Sequence, residues 1–241
     1  MIMNIVKIFV YLLLTLLPLH VFGSTPLAIT SSYQKDKISE SDGGNRPVNE
    51  TAKESSAQRY SDHIEGLINS LQSQEDSKRE NAEHELIRLA LRSSENRHAV
   101  ISALLKSVEN IDELNGSHTV LAKSFPFWSS VTAILGKVKA TEAINVLIRC
   151  VHCSNGYTGS LGEPPASMAL IEIGAPAIPQ LSEALLKDPN GYKRVKIALC
   201  LGRIGGSKAR LALERALRSE TEKDVRDRIE FVLTGMRSRH G

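Results

Sequence analysis

The chain has 241 residues, 41% hydrophobic and 24% charged, enough for one sizeable domain. Aromatic residues make up only 5% while Ala and Leu are plentiful, which suits packed helices and disfavours a β-sandwich. The net charge of +3 is uneven: residues 187–241 hold 14 Lys/Arg against 7 Asp/Glu, whereas residues 24–186 hold 15 against 20. That basic end reads either as solvated helix faces or as a surface for an acidic partner.

Residues 1–23 are expected to be an address. The stretch "MIMNIVKIFVYLLLTLLPLHVFGS" sets Lys7 before an apolar run from Ile8 to Leu17, then Pro18 and Val21-Phe22-Gly23. An early cation, an apolar centre and a small residue at the cut make an export signal peptide, cleaved after Gly23. Stretched over residues 2–22, the same run would serve as an uncleaved membrane anchor, which is the alternative. With no Cys at the cut, a lipidated N-terminus is not expected. Residues 24–57 are rich in Ser, Thr, Asp, Glu, Lys and Gly, bury too little apolar area to offset ordering entropy, and are expected to form a disordered linker. Asn49-Glu50-Thr51 and Asn115-Gly116-Ser117 are glycosylation sequons that matter only in a eukaryotic host.

Residues 58–241 read as one domain of helix after helix. In "YSDHIEGLINSLQS", Ile64, Leu67, Ile68 and Leu71 recur at helical spacing, with Ser61 as the expected N-cap. The pattern returns with Ala82, Leu86, Leu89 and Ala90, and again with Val100, Ala103, Leu104 and Val108. Further helices are predicted over 118–137, 140–152, 165–173, 175–187, 191–204, 207–219 and 221–237. "NIDELNGSH" (110–118) and the Gly- and Pro-rich "CSNGYTGSLGEPPA" (153–166) interrupt the rhythm; the second reads as a surface insertion or a functional loop. No alternation long enough for a strand is present.

The helices repeat one another. Leu135-Gly136-Lys137-Val138 aligns with Leu201-Gly202-Arg203-Ile204, after which Ala143 falls on Ala209 and Leu147 on Leu213. "SMALIEIGAPAIPQLSEALLKD" (167–188) is the unit between, and "RIEFVLTGM" a last echo. Periods near 30–40 with a helix, a glycine break and another helix indicate a stacked-helix array. The glycine of "L-G" is expected to admit a neighbouring helix, and the "I-G" or "V-K" position (Val138-Lys139) to end its helix, where Gly takes left-handed backbone at no steric cost. Pro176 and Pro179 suit the first turn of the next helix.

"MALIEIGAPAIPQLSEALL" and "ALCLGRIGGSKARLALERAL" resemble the HEAT-like repeats of phycobilin lyases and, more loosely, the HEAT and armadillo superfamily. The resemblance is good over 125–237 and weak over 60–110. It implies an all-α solenoid, a right-handed superhelix of about five helix pairs, and it implies a fold far more than a function.

No catalytic constellation emerges. Cys150-Val151-His152-Cys153 is a C-x-x-C at a predicted helix C-terminus, the wrong end for the dipole to activate a thiol. Its readings are buried thiols, a Cys150–Cys153 disulfide, or a thiol or metal site; Cys200 is the one further Cys and lies on another repeat. His84-Glu85 resembles one of the His-Glu pairs that hold iron in deoxyhypusine hydroxylase, but later repeats carry no matching pair. Lys193, Arg194, Lys196, Arg203, Lys208 and Arg210 could form a basic ridge for a partner, yet few aromatics stand nearby to stack a nucleic-acid base. Phe125, Phe127 and Trp128 read as core or as an exposed anchor.

The expected function is a non-catalytic protein–protein interaction scaffold outside the cytoplasm, periplasmic or secreted, with an acidic protein partner, no metal and no cofactor. The alternatives are an enzyme or accessory protein using the Cys150–Cys153 motif, and a binder of anionic polymer through the basic C-terminal helices. Nucleic acid is not an expected partner, and membrane is one only if residues 2–22 stay attached.

Overall fold

In a computed structural model that describes residues 48–109, 118–153 and 163–238, every regular element is helical and no strand occurs among the described residues. The described residues fall within one compact unit, Pro47–Gly241, and residues 1–47 lie outside them. The expected signal at 1–23 and linker residues 24–47 therefore fall outside them too. So do both long interruptions, apart from their edges at Cys153, 163–166 and His118.

Helix α1 (Val48–Leu71) starts earlier than the expected boundary at residue 58, and Ser61 is inside it rather than capping it. The reason lies in propensity: "VNETAKESSAQR" contains good helix formers and neither Gly nor Pro, so the turn begun by the apolar stripe propagates backwards. Next come α2 (Asp76–Ala90), α3 (Ser94–Ser107) and α4 (His118–Lys137). A 3-10 turn over Thr141–Ala143 leads into α5 (Ile144–Arg149), and α6 spans Pro165–Ile173. A second 3-10 turn, Ala175–Ala177, leads into α7 (Ile178–Lys187), followed by α8 (Gly191–Ile204), α9 (Gly206–Ser219) and α10 (Lys223–Ser238).

These helices form two layers. Helices α2, α4, α6, α8 and α10 pack side by side in chain order, while α3, α5, α7 and α9 make the second layer. Each later second-layer helix nests on the first-layer helix that follows it: α5 on α6, α7 on α8, α9 on α10. Helix α1 packs on α2, α3 and α4 and closes the N-terminal end. Ten α-helices are thus described, of which α5–α6, α7–α8 and α9–α10 nest as pairs.

A continuous core runs between the layers, with Leu86, Leu104, Leu135, Leu147, Leu170, Leu181 and Ile197 fully buried. Burying such a side chain contributes about 1.5–3 kcal/mol. The positions matched by the sequence repeat, Ala143 with Ala209 and Leu147 with Leu213, are all completely buried.

Two glycine roles hold this stack in register. Gly136 on α4 faces α6 so closely that a Cβ there would lie 2.8 Å from Glu172 Oε2 and 3.0 Å from the Ala169 Cα. Gly202 on α8 faces α10, where a Cβ would collide with Val232. The corners use the other role: Gly174 ends α6 at φ 80° and Gly205 ends α8 at φ 75°. The equivalent corner after α4 is Lys139, a non-glycine at φ 51°. Its conformation is held from both sides: Arg97 Nη2 donates to its carbonyl (3.0 Å) and its own Nζ donates to the Glu172 carbonyl (2.6 Å).

Candidate functional site

Cys150 caps the C-terminal end of α5, and the Cys153 N–H donates to the Cys150 carbonyl at 3.0 Å. Both cysteines are buried. His152 between them is half-buried and meets the Tyr192 ring edge-on, with centroids 6.4 Å apart. Its Nδ1 is buried without a hydrogen-bond partner. Burial, reinforced by the nearby Lys193 charge and opposed by Asp188, pushes the imidazole pKa down, so His152 is neutral at pH 7. Among the described residues, no group of three or more His, Cys, Asp or Glu is placed to hold a metal ion.

Cys200 sits on α8, one repeat further on. Its Sγ lies 3.9 Å from the Ser167 carbonyl, and Ser167 Oγ donates to the Val151 carbonyl at 2.9 Å. This buried thread joins the end of α5 to the first-layer helices α6 and α8. Burial pushes the Cys200 thiol up to about 11, the opposite of what a nucleophile or thiolate ligand requires.

The six cations singled out from the sequence do not form one ridge. Lys193, Arg194 and Lys196 occupy the first turns of α8, whereas Arg203 stands at its far end, about 15 Å along the axis at 1.5 Å per residue. Lys208 and Arg210 open α9 in the other layer. Arg194 faces inward. Its guanidinium grips Glu220 through two bonds of 2.8 and 3.0 Å, reaches Glu222 at 3.0 Å and donates to the Asp188 carbonyl at 2.8 Å. With side chains 12% and 8% exposed, the Arg194–Glu220 pair clasps the α7–α8 loop to the α9–α10 loop. Lys196 lies over the exposed Tyr192 ring, 5.5 Å from its centroid, and Arg210 pairs with Glu214 at 3.4 Å.

The remaining candidates resolve more simply. Trp128 is buried and Phe127 packs against the core, while Phe125 is half-buried beside a small cavity of about 280 Å³ between α2 and α4. His84 is exposed; Glu85 is held by Arg88, whose hydrogen bonds lower its carboxyl pKa, and lies 4.0 Å from His63.

What sequence reasoning missed is a groove between α7 and α9, about 450 Å³ in volume. Leu186 (37% exposed) and Leu211 (63% exposed) lie along it, with Lys187, Lys208 and Arg215 around them. Glu183 also lines it and pairs with Lys187 at 2.8 Å. The signal was legible: Ala209, Leu213 and Ala216 make the buried stripe of α9, so Leu211 points to the other side, in phase with Lys208, Arg215 and Arg218.

The corners, close glycines and two layers on α6–α10 agree with one family. Residues 166–234 match the family model of HEAT repeats. The match begins inside α6 and ends inside α10, so the α7–α9 groove lies wholly within the matched residues. A comparison with curated proteins finds no match. No helix among the described residues is long and apolar enough to cross a membrane.

Proposed function

We infer that this chain is a non-catalytic scaffold that holds another protein, of acidic character, against its basic C-terminal helices. HEAT repeats commonly mediate such contacts, and the family is usually non-catalytic. The observation that carries the reading is the outward chemistry of the second layer. On α9, Lys208, Leu211, Arg215 and Arg218 are exposed in a row, and burial pushes up the Cys200 thiol. The phycobilin-lyase-type character of the repeat belongs to this reading on the strength of "MALIEIGAPAIPQLSEALL". So does export: residues 1–23 as a cleaved signal, 24–47 as a tether, and action in the periplasm or medium.

The test is cross-linking of the full-length chain in its host, followed by purification and mass spectrometry of the envelope and secreted fractions. The expected result is a specific acidic protein together with a mature N-terminus at residue 24. Recovery of no specific protein under several salt conditions overturns the scaffold reading, and a retained Met1 overturns cleavage.

A further inference from the structure

We propose that the α7–α9 groove is the docking site, and that its occupant is a short acidic segment of a partner protein presenting large apolar side chains to Leu186 and Leu211. The proposal rests on the scaffold reading and narrows it to one surface and one chemistry.

Two features of the groove define the occupant. The first is apolar. Leu186 and Leu211 are large hydrophobic residues left open on facing helices, and covering them removes apolar area from water. An occupant made only of phosphates or carboxylates gains nothing from them. The second is electrostatic. Of the charged residues lining the groove, Glu183 is engaged by Lys187, and Lys208 and Arg215 have no carboxylate partner among the described residues. Arg218 extends the same cationic row along α9. A surplus of positive charge around a hydrophobic floor selects carboxylates flanking apolar residues. No aromatic side chain lines the groove, so bases have nothing to stack on, and that disfavours single-stranded nucleic acid.

Geometry limits the length of the contact. The groove residues run from Pro179 to Lys187 on α7 and from Lys208 to Arg215 on α9, spans of roughly 11–12 Å at 1.5 Å per residue. That accommodates two turns of an amphipathic helix, whose i, i+3 and i+7 side chains would lie along the row. No second-layer helix follows α9 among the described residues, so the side of α9 away from α7 is not covered by another repeat.

The experiment uses the full chain and two readouts. In the first, fluorescence anisotropy follows a labelled synthetic peptide with Leu at i, i+3 and i+7 and Asp or Glu elsewhere. Leu211→Glu and the pair Lys208→Glu/Arg215→Glu are each expected to weaken binding by about tenfold or more, because both remove central contacts. Lys106→Glu, a charge reversal on the distant α3, is expected to leave it unchanged. Leu211→Ser, a change at an exposed position, guards against misfolding by the charged variant and is expected to weaken binding as well. Equal affinity for polyglutamate or heparin overturns the proposal, since that outcome shows anion binding alone. So does an unchanged affinity of Leu211→Ser. In the second readout, a photo-cross-linking amino acid is placed in turn at Leu211, Tyr192 and Phe231 in cells. Capture of an acidic protein segment from position 211 supports the groove. Capture only from 192 or 231 overturns the groove and leaves the scaffold reading intact, whereas capture from none of the three overturns both.

Discussion

Gly202 is a residue whose missing Cβ decides how near two helices come. Replacement by Ala forces a methyl group into Val232 and is expected to destabilise by about 1–3 kcal/mol. Trimming the obstacle should restore part of that: Gly202→Ala/Val232→Ala is expected to be less destabilised than the two single changes added together, by about 1 kcal/mol in a denaturant double-mutant cycle. Strict additivity would show that the close approach does not exist. Arg194 gives a second prediction. Burial opposes ionisation of Glu220, but the Arg194 hydrogen bonds and the backbone N–H groups of Thr221 and Glu222 outweigh it and hold the carboxyl below its ordinary value. A lowered folded-state pKa stabilises above the unfolded value, about 4.3, and that contribution disappears as pH falls through the folded value. Stability should therefore drop on acidification below about pH 4.3, and less steeply in Arg194→Ala, which at neutral pH loses about 3 kcal/mol by orphaning Glu220. Chemical denaturation from pH 3 to 7 reads both effects, on a scale where an unbroken carboxylate pair shifts the midpoint. Cys200 provides a third: with its thiol pushed up to about 11 and buried, it should react with a thiol reagent only after denaturant is added. Fast native labelling of Cys200 would contradict the packing described.

At the scale of elements, the sequence conveyed the helices from residue 118 onward almost to their ends, because they are striped at a regular interval and α6, α7 and α8 are bounded by Gly, Pro or Asn. Helix α8 shows why: Asn190 caps it, its side-chain oxygen accepting from the Lys193 N–H at 3.2 Å, and Gly205 ends it. The start of α1 was not legible, since polar residues with good helix propensity look the same in a tether and on an exposed helix. The sequence placed Val138-Lys139 at a helix end but could not show what holds Lys139 in the backbone that glycine adopts elsewhere; that depends on Arg97 and Glu172, both far away along the chain. The basic residues illustrate the same limit. Cations on successive helices suggested a ridge, but Arg194 turns inward because two carboxylates from the α9–α10 loop arrive beside it. Leu211 was available to a stricter count of the α9 period, and it defines the groove better than any of the six cations.

For the molecule as a whole, stacking predicts how the structure comes apart. Each pair is supported by its neighbours, so stability should be greatest where neighbours lie on both sides. Native-state hydrogen exchange is expected to be slowest in α6 and α8 and fastest in the part of α1 before Tyr60, where Ala57, Gln58 and Arg59 are exposed. Uniform protection from α1 to α10 would mean that the array unfolds as one unit. The notches at Gly136 and Gly202 have a mechanical consequence. They mesh α4 with α6 and α8 with α10 like the teeth of a rack, so the first layer resists lengthwise slip. Bending must then come from the opposite side, by α7 and α9 spreading or closing as a clip does on a rigid spine. A guest lodged between Leu186 and Leu211 would be gripped or released by changes in curvature, without any one helix having to melt.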